Sequence, residues 1–420
     1  MIIDQFRKTS EGQYTTVSAS LRWEESDHPL KTLYFQIDQT FEKDLSPSAE
    51  AFLVASFLPA IHFGEKRICV NGPVCEVLLD GLSTAMALFH AWHGDRYHPI
   101  PIECKPVSQE ILLCTVKPRA AVFLSGGVDS LAVLRTNHLR LPIGHSDRFR
   151  DGIFIYGHDI GGIARREPEN EVFARAMRRL EKVASECDLT LMPIRTNTRH
   201  LFDDHQFWMR FFYSAALAAV GHTLSRRIDR LSISSGNVIQ HLRPWGSHPV
   251  LDPCYSSATV QVRHAGLHHT RLDRVRWVSE WPAALSGLRV CGHNPAHGLN
   301  CGDCEKCLRT MTQLVALGKL GETDAFPVKD ISAGMIRRQL LMHDYQLAPY
   351  KDALPLLMKR ERNDLVRAIR HKIFIYNCLY RYLEGLDVKS MLKHVDRVLF
   401  KGKLLSRYRL RKQNRRIKSQ

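Results

Sequence analysis

No apolar run in the sequence is long enough to cross a bilayer. The longest, FFYSAALAAVG from Phe211 to Gly221, reaches about half the ~20 residues that a spanning helix needs. The first residues, MIIDQFRKTSEGQ, lack the basic, apolar and small-residue succession of a secretory signal. These absences predict a cytoplasmic protein without a membrane span. The 11 cysteines are odd in number and scattered through 420 residues, which argues against the disulfide scaffold of a small secreted domain. Low-complexity tracts and internal repeats are absent as well. Acid is missing from the final stretch, Lys401 to Gln420, which carries nine Lys or Arg. That stretch holds more than half of the formal net charge of +16. It is either a solvated basic end or a contact for nucleic acid or an anionic surface.

What is present is enough apolar material, 44% of residues, to bury a substantial core. The length suggests two or three domains, and the patterning divides the chain into residues 1–118, 119–320 and 321–420. In the first part YTTVSASLRW and KTLYFQIDQTF alternate apolar and polar residues as half-buried strands do. SPSAEAFLVASFLPAIHFG reads as a helix capped by Ser46 or Ser48. RICVNGPVCEVLLDGLSTAMALFHAWHG reads as a short strand, a Gly-Pro turn and a second helix. This is an N-terminal α+β module without a chemical motif.

From Arg119 four short apolar runs appear, AAVFL, GIFIYG, LTLMPI and LSISSG, beginning at Ala120, Gly152, Leu189 and Leu231. Each interval is long enough for a crossover helix. One of them, Glu171–Cys187, sets Phe173, Met177, Leu180, Ala184 and Cys187 on one face. Alternating strand and helix predict an α/β fold with a parallel sheet covered on both faces. Ligands of such sheets gather at the carboxyl ends of the strands. The last part, from AGMIRRQLLMHDYQL through NDLVRAIRHKIFIYNCLYRYLEG to VKSMLKHVDRVLF, is amphipathic and predicts a helical region ending in the basic tail.

At the first strand end stands Ser125-Gly126-Gly127-Val128-Asp129-Ser130. Paired glycines permit backbone angles that let successive N–H groups converge. The helix that follows adds its own unpaired N–H groups and its positive end. Such a hinge cradles an anion, typically a phosphate, with the Ser125 and Ser130 hydroxyls as further donors. Asp129 fits only if a magnesium ion separates it from the anion, or if it caps the helix. Asn197 and Arg199 follow the third apolar run, and Ser234, Ser235 and Gly236 follow the fourth. Their position makes them candidates for the same rim, against the alternative of ordinary polar loops.

A second motif is VCGHNPAHGLNCGDCEKCLRT, with Cys291, Cys301, Cys304 and Cys307 spaced C-x9-C-x2-C-x2-C. Four thiolates close a tetrahedral site and leave no position for water, as structural zinc requires. An iron–sulfur cluster uses four cysteines too, so spacing alone leaves the metal open. His293 and His297 lie inside the loop as substitute ligands.

The hinge has neither the Gly-Lys-Ser/Thr of a Walker loop nor G-x-G-x-x-G. It resembles S-G-G-x-D-S, the signature of the PP-loop ATP pyrophosphatases. Together with the cysteine turn and Arg309, it is similar to the 7-cyano-7-deazaguanine synthases and their relatives over roughly Arg119–Gly318. The resemblance implies a HUP/Rossmann-like PP-loop domain that binds ATP and magnesium through Ser125, Gly126, Gly127, Val128, Asp129 and Ser130, with Asn197, Arg199, Ser234 and Gly236 nearby. It implies zinc on the four cysteines. Asp252, in GSHPVLDPCYSS, matches the acid of that family's substrate loop, although the rest of the loop differs.

The activity so implied is that of an ATP-dependent ligase. It would adenylate a small-molecule acceptor, a carboxylate by analogy, release pyrophosphate and then AMP, and form a C–N bond with ammonia or another nitrogen nucleophile. Asp129 and Asp252 are its candidate catalytic residues. Residue 2 is isoleucine, so no N-terminal nucleophilic cysteine supplies the ammonia. Two other readings stand beside it: a tRNA-modifying PP-loop enzyme of thiolation or lysidine type, favoured by the basic tail, and a non-enzymatic nucleotide-sensing module. Cys254, in the substrate loop, is a buried small side chain by default and a nucleophile by exception.

Overall fold

The computed structural model describes residues 1–107, 119–164, 169–339, 341 and 343–380, with the side chains of 379 and 380 left aside. It falls into two compact units, Met1–Asp330 and Ile331–Gln420.

The first unit is built on one ten-stranded sheet. The N-terminal part supplies β1 (Ile2–Glu11), β2 (Tyr14–Arg22), β3 (Lys31–Asp38), β4 (Ile68–Cys75) and β5 (Ile102–Val107). The rest supplies β6 (Ala120–Phe123), β7 (Phe149–Tyr156), β8 (Thr190–Thr196), β9 (Arg230–Ser234) and β10 (Gln261–Ala265). In space the order is β10-β9-β6-β7-β8-β3-β2-β1-β4-β5. The five strands from β10 to β8 are mutually parallel, and β3 joins them antiparallel through Phe35–Ile37 against Ile194–Thr196. The fold is therefore α/β with a mostly parallel sheet, compatible with a Rossmann-like arrangement. The α+β module before Pro118 is continuous with that sheet, because β3 presents a pairing edge to β8. Residues 108–118, where the sequence places the boundary, lie outside the described residues.

The chemistry of the strands explains their places. All four residues of β6 are buried, as a central parallel strand covered on both faces requires. β2 and β3 bury alternate residues, the half-buried pattern anticipated for them. β1 carries little apolar alternation and is not evident from the sequence; it enters by pairing with β2, with a register shift between Asp4 and Arg7 where Gln5 adopts φ 55°. Gly72 and Pro73, expected to form a turn, lie inside β4 and absorb an irregularity in its pairing with β5.

Helices α1 (Ala49–His62), α2 (Glu76–His93), α3 (Val128–Arg140), α4 (Asn170–Glu186), α5 (Tyr213–Thr223), α6 (Arg271–Ser279) and α7 (Glu305–Leu317) accompany the sheet. α1 is buried on nearly every side, from Ala49 to Ile61, which explains why its sequence is apolar all round. Ser48 is its N-cap residue, without a side-chain cap bond. α4 buries Phe173, Ala176, Leu180, Val183 and Ala184, close to the anticipated face, with Met177 half-buried.

Strand order marks one strand end for attention. From β6 the chain runs one way to β7 and β8, then returns to place β9 on the other side of β6, followed by β10. That reversal beside β6 is the topological switch point at which open α/β sheets bind ligands. The Ser-Gly-Gly hinge is the segment that leaves β6 there.

The second unit packs α8 (Ala333–Arg338), α9 (Asp344–Lys359) and α10 (Asn363–Ile375) around Ile336, Leu347, Leu357, Leu365 and Ile369. The predicted helix at AGMIRRQLLMHDYQL breaks between Arg338 and Asp344 into two. The segments from 381 onward, including VKSMLKHVDRVLF and the basic tail, lie outside the described residues. No helix among the described residues is long and apolar enough to cross a membrane.

Candidate functional site

The hinge turns sharply because Gly126 adopts φ +76°. An added Cβ there would stand 3.3 Å from the Gly287 carbonyl oxygen. The Gly126 carbonyl accepts from Arg289 N at 2.8 Å, so the segment leading into Cys291 is laid directly along the hinge. Ser125 Oγ accepts from Gly127 N at 3.3 Å and stands 3.3 Å from Ser130 Oγ, which itself donates to Gly127 O at 3.1 Å. Leu131 N–H bonds Gly127 O at 3.1 Å, which leaves the amides of Val128, Asp129 and Ser130 at the open start of α3. The Gly126→Ala variant should lose about 1–2 kcal/mol of stability through its left-handed backbone, read by denaturant unfolding.

Asp129 is not free. Its Oδ1 accepts from Arg274 Nη1 at 2.7 Å and lies 3.5 Å from Arg271 Nη1. Burial alone would raise the carboxyl pKa, but Arg271 and Arg274, with Arg309 beyond, outweigh it and hold Asp129 below the usual carboxylate range. Arg274 also donates to the carbonyls of Ser235, Asn237 and Gly266. One guanidinium thus ties the ends of β9 and β10 to the first turn of α3.

Arg271 and Arg309 are differently placed. Arg271 donates to Thr310 Oγ1 at 3.3 Å, and Arg309 stands 3.4 Å from Glu305 Oε1. Arg271 Nε is buried without a hydrogen-bond partner in the protein, as are Arg274 Nε and Arg289 Nε, and Arg309 Nε meets Glu305 Oε1 only as a long ion pair. Burial first, and then the neighbouring Arg309, push Arg271 down to about 10. Two largely buried cations pressed together are unfavourable unless anions join them; Asp129 stands 3.5 Å from Arg271 and Glu305 3.4 Å from Arg309. Asp159, just past β7, is held below the usual carboxylate range against desolvation by Lys306 and Arg289.

The cysteines stand behind these cations. The Cys301 and Cys307 sulfurs are 3.8 Å apart and those of Cys304 and Cys291 3.9 Å, and all four lie within 4.8 Å of one another. A tetrahedral zinc with Zn–S of about 2.3 Å requires sulfurs about 3.8 Å apart, so the four residues fit one metal ion and are compatible with zinc. Sulfur–hydrogen partners, Cys304 foremost and then Cys307, pull the Cys291 thiol well below its ordinary value. The His293 and Cys304 amides donate to Cys291 and Cys301 Sγ at 3.4 Å. His293 Nδ1 comes no closer than 3.8 Å to Cys301 Sγ, beside a set that is complete without it.

Asn300 holds the loop in place, accepting from the Val290 and Cys291 amides and donating to the Leu288 and Ala325 carbonyls. Asn294 donates to the Asp159 carbonyl and the Glu169 carboxylate, and accepts from Arg289. Cys304 is the N-cap residue of α7, so the metal turn sets the direction of the helix that carries Lys306 and Arg309.

The remaining candidates are placed as follows. Asn197 accepts from Tyr34 N and donates to Thr32 O, which fastens β3 to the end of β8. Arg199 donates to Asp203 and the His158 carbonyl and lies over Trp208. Both side chains are committed to holding neighbouring segments. Ser234 Oγ is buried without a protein partner, and a Cβ added at Gly236 would meet nothing within 4 Å. Asp252 is wholly buried, accepting from Ser247 Oγ and His264 Nδ1 at 2.7 Å each and from His248 N at 3.2 Å. Burial, then Asp252, raises the Cys254 thiol pKa, which is unlike an activated nucleophile.

Arg271, Arg274, Arg289 and Asp159 were not anticipated, and Lys306 and Arg309 only as part of the metal turn. Their common local signal is a basic residue beside a motif, too frequent in this chain to single them out. No family model, curated protein or solved structure matches this chain.

Proposed function

We propose that the crevice between the ends of β6 and β9 binds ATP, and that the protein is a PP-loop ligase that forms AMP and pyrophosphate. One observation carries the reading: Arg271 and Arg309, largely buried and held by long contacts of 3.3–3.5 Å, flank a glycine hinge with open amides at the switch point of the sheet. Donors fixed in advance around a polyphosphate stabilise the charge that develops as pyrophosphate leaves. The hinge amides and the two arginines are suited to that task, with Lys306 beside them. Asp129, already paired to two guanidinium groups, does not suit a magnesium ligand; its role is to hold Arg274 and Arg271. Zinc on Cys291, Cys301, Cys304 and Cys307 serves as a structural brace for the helix that carries Lys306 and Arg309.

The substrate reading follows the family resemblance, with a carboxylate as acceptor and ammonia as nucleophile. Incubation with ATP, magnesium chloride, ammonium chloride and a panel of carboxylic acids should release AMP and pyrophosphate in equal amounts for the productive acid. Formation of ADP and phosphate would refute cleavage at the α-phosphate. Adding transfer RNA in place of the acids tests the modifying-enzyme alternative, whose binding should be tight and steeply weakened by salt.

A further inference from the structure

Asp252 does not reach into open space, but one of its partners is incomplete. His264 lies in β10 opposite Ile233 of β9, one residue before Ala265, whose carbonyl accepts from Ser235 N at the rim of the crevice. Its side chain is 4% exposed. Nδ1 stands 2.7 Å from Asp252 Oδ2 and 3.3 Å from Ser247 Oγ, while Nε2 is buried and has no partner in the protein. Two other deeply buried imidazoles of this unit are satisfied at that atom: His222 Nε2 meets Tyr255 O at 2.8 Å, and His158 Nε2 meets Thr198 Oγ1 at 2.9 Å. A buried, unpaired ring nitrogen costs stability unless a ligand completes it.

The arrangement is that of an oriented base. Asp252 accepts the Nδ1 proton, which fixes the tautomer and turns the Nε2 lone pair outward from the pair. Ser247 donates to the same carboxylate oxygen and holds it in place. Tyr213, the first residue of α5, stands near this cluster. Burial foremost, then the charge of Asp252, raises its phenol pKa.

Resting on the adenylation reading above, we propose that His264 Nε2 binds the nitrogen nucleophile, ammonia or a primary amine, and takes its proton, with Asp252 as the positioning residue. The nitrogen lone pair forms the new C–N bond at the acyl carbon of the adenylate. The bond from that carbon to the AMP oxygen breaks, its electron pair leaves with AMP, and the proton lost by nitrogen passes to Nε2.

Nitrogen-15 histidine spectra of the full chain with zinc, at neutral pH, test the first half of this without any acceptor. The His264 ring should carry its proton on Nδ1, and its Nε2 resonance should move saturably as ammonium chloride is added. The Asp252→Asn variant, nearly isosteric, should weaken that response at least tenfold. A ring protonated on Nε2, or no saturable response, would overturn the proposal. With a productive carboxylate, His264→Gln should keep pyrophosphate–ATP exchange within about twofold while ammonia-dependent product falls about 100-fold. Equal loss of both would reduce His264 to a structural role. Absence of exchange in the unaltered protein would instead defeat the adenylation reading, leaving the spectra to decide the role of His264.

Discussion

Depriving the four-cysteine site of a metal ion is expected to weaken nucleotide binding at least tenfold as well as lower stability. The sulfurs of Cys291, Cys301, Cys304 and Cys307 sit at the spacing one tetrahedral ion imposes. Without an ion, thiols this close lose the interaction that justifies their burial. The binding energy of a structural metal is folding energy for the segment it closes. Here the closed region includes the segment laid along the hinge, through Arg289 N to Gly126 O, and the first turns of α7 with Lys306 and Arg309. Cys304→Ser should lower the metal content from one ion per chain toward zero, cost more than about 4 kcal/mol and raise the Kd for ATP at least tenfold. Cys187→Ser is the contrast. That thiol is pushed up to about 11 by burial and lies outside the cluster, so metal content and ATP affinity should not change. Metal analysis, unfolding and calorimetric titration read the three effects separately. If Cys304→Ser bound ATP normally, the coupling of metal to crevice would be wrong.

The second large effect separates two arginines three residues apart. Arg274 is 2% exposed and donates to Asp129, Ser235, Asn237 and Gly266. Replacing it with methionine leaves a carboxylate and three carbonyls without their donor, and removing one member of a buried ion pair costs about 3–5 kcal/mol. Arg271 has a poorer set of partners, Thr310 Oγ1 at 3.3 Å and Asp129 Oδ1 at 3.5 Å, and the like charge of Arg309 beside it. Arg271→Met should therefore leave stability nearly unchanged, since it also relieves repulsion. Its effect falls on the ligand: loss of a charged hydrogen bond to phosphate is worth roughly 1.5–3 kcal/mol, or about 10- to 100-fold in Kd. Unfolding curves and ATP titrations of the two variants should show opposite patterns. Comparable destabilisation in both would mean that Arg271 is another brace and that the anion site lies elsewhere.

These contrasts show how unevenly the site is written along the chain. The hinge was legible because Ser-Gly-Gly followed by a helix start is a local instruction: the turn at Gly126 needs no distant partner. Strand–helix alternation predicted the parallel sheet for the same reason. It did not reveal that the first hundred residues extend that sheet, because β3 joins β8 across more than 150 positions of sequence. Asp252 was singled out as an acceptor-binding acid. The tertiary structure instead turns it inward onto Ser247 and His264, since only the crossover after β9 brings these residues together. Asn197 and Arg199 lie at the strand end where position placed them, but their side chains are taken up by β3 and by Asp203.

By itself the sequence determined the hinge conformation and the four-sulfur set, because glycine torsions and closely spaced ligands act within one turn of chain. Folding alone decided which charges meet there. Arg274 reaches Asp129 across 145 residues, and α7 brings in Arg309 from a third segment. Electrostatic convergence depends on how crossovers return to a common strand end, and no short stretch of residues encodes that.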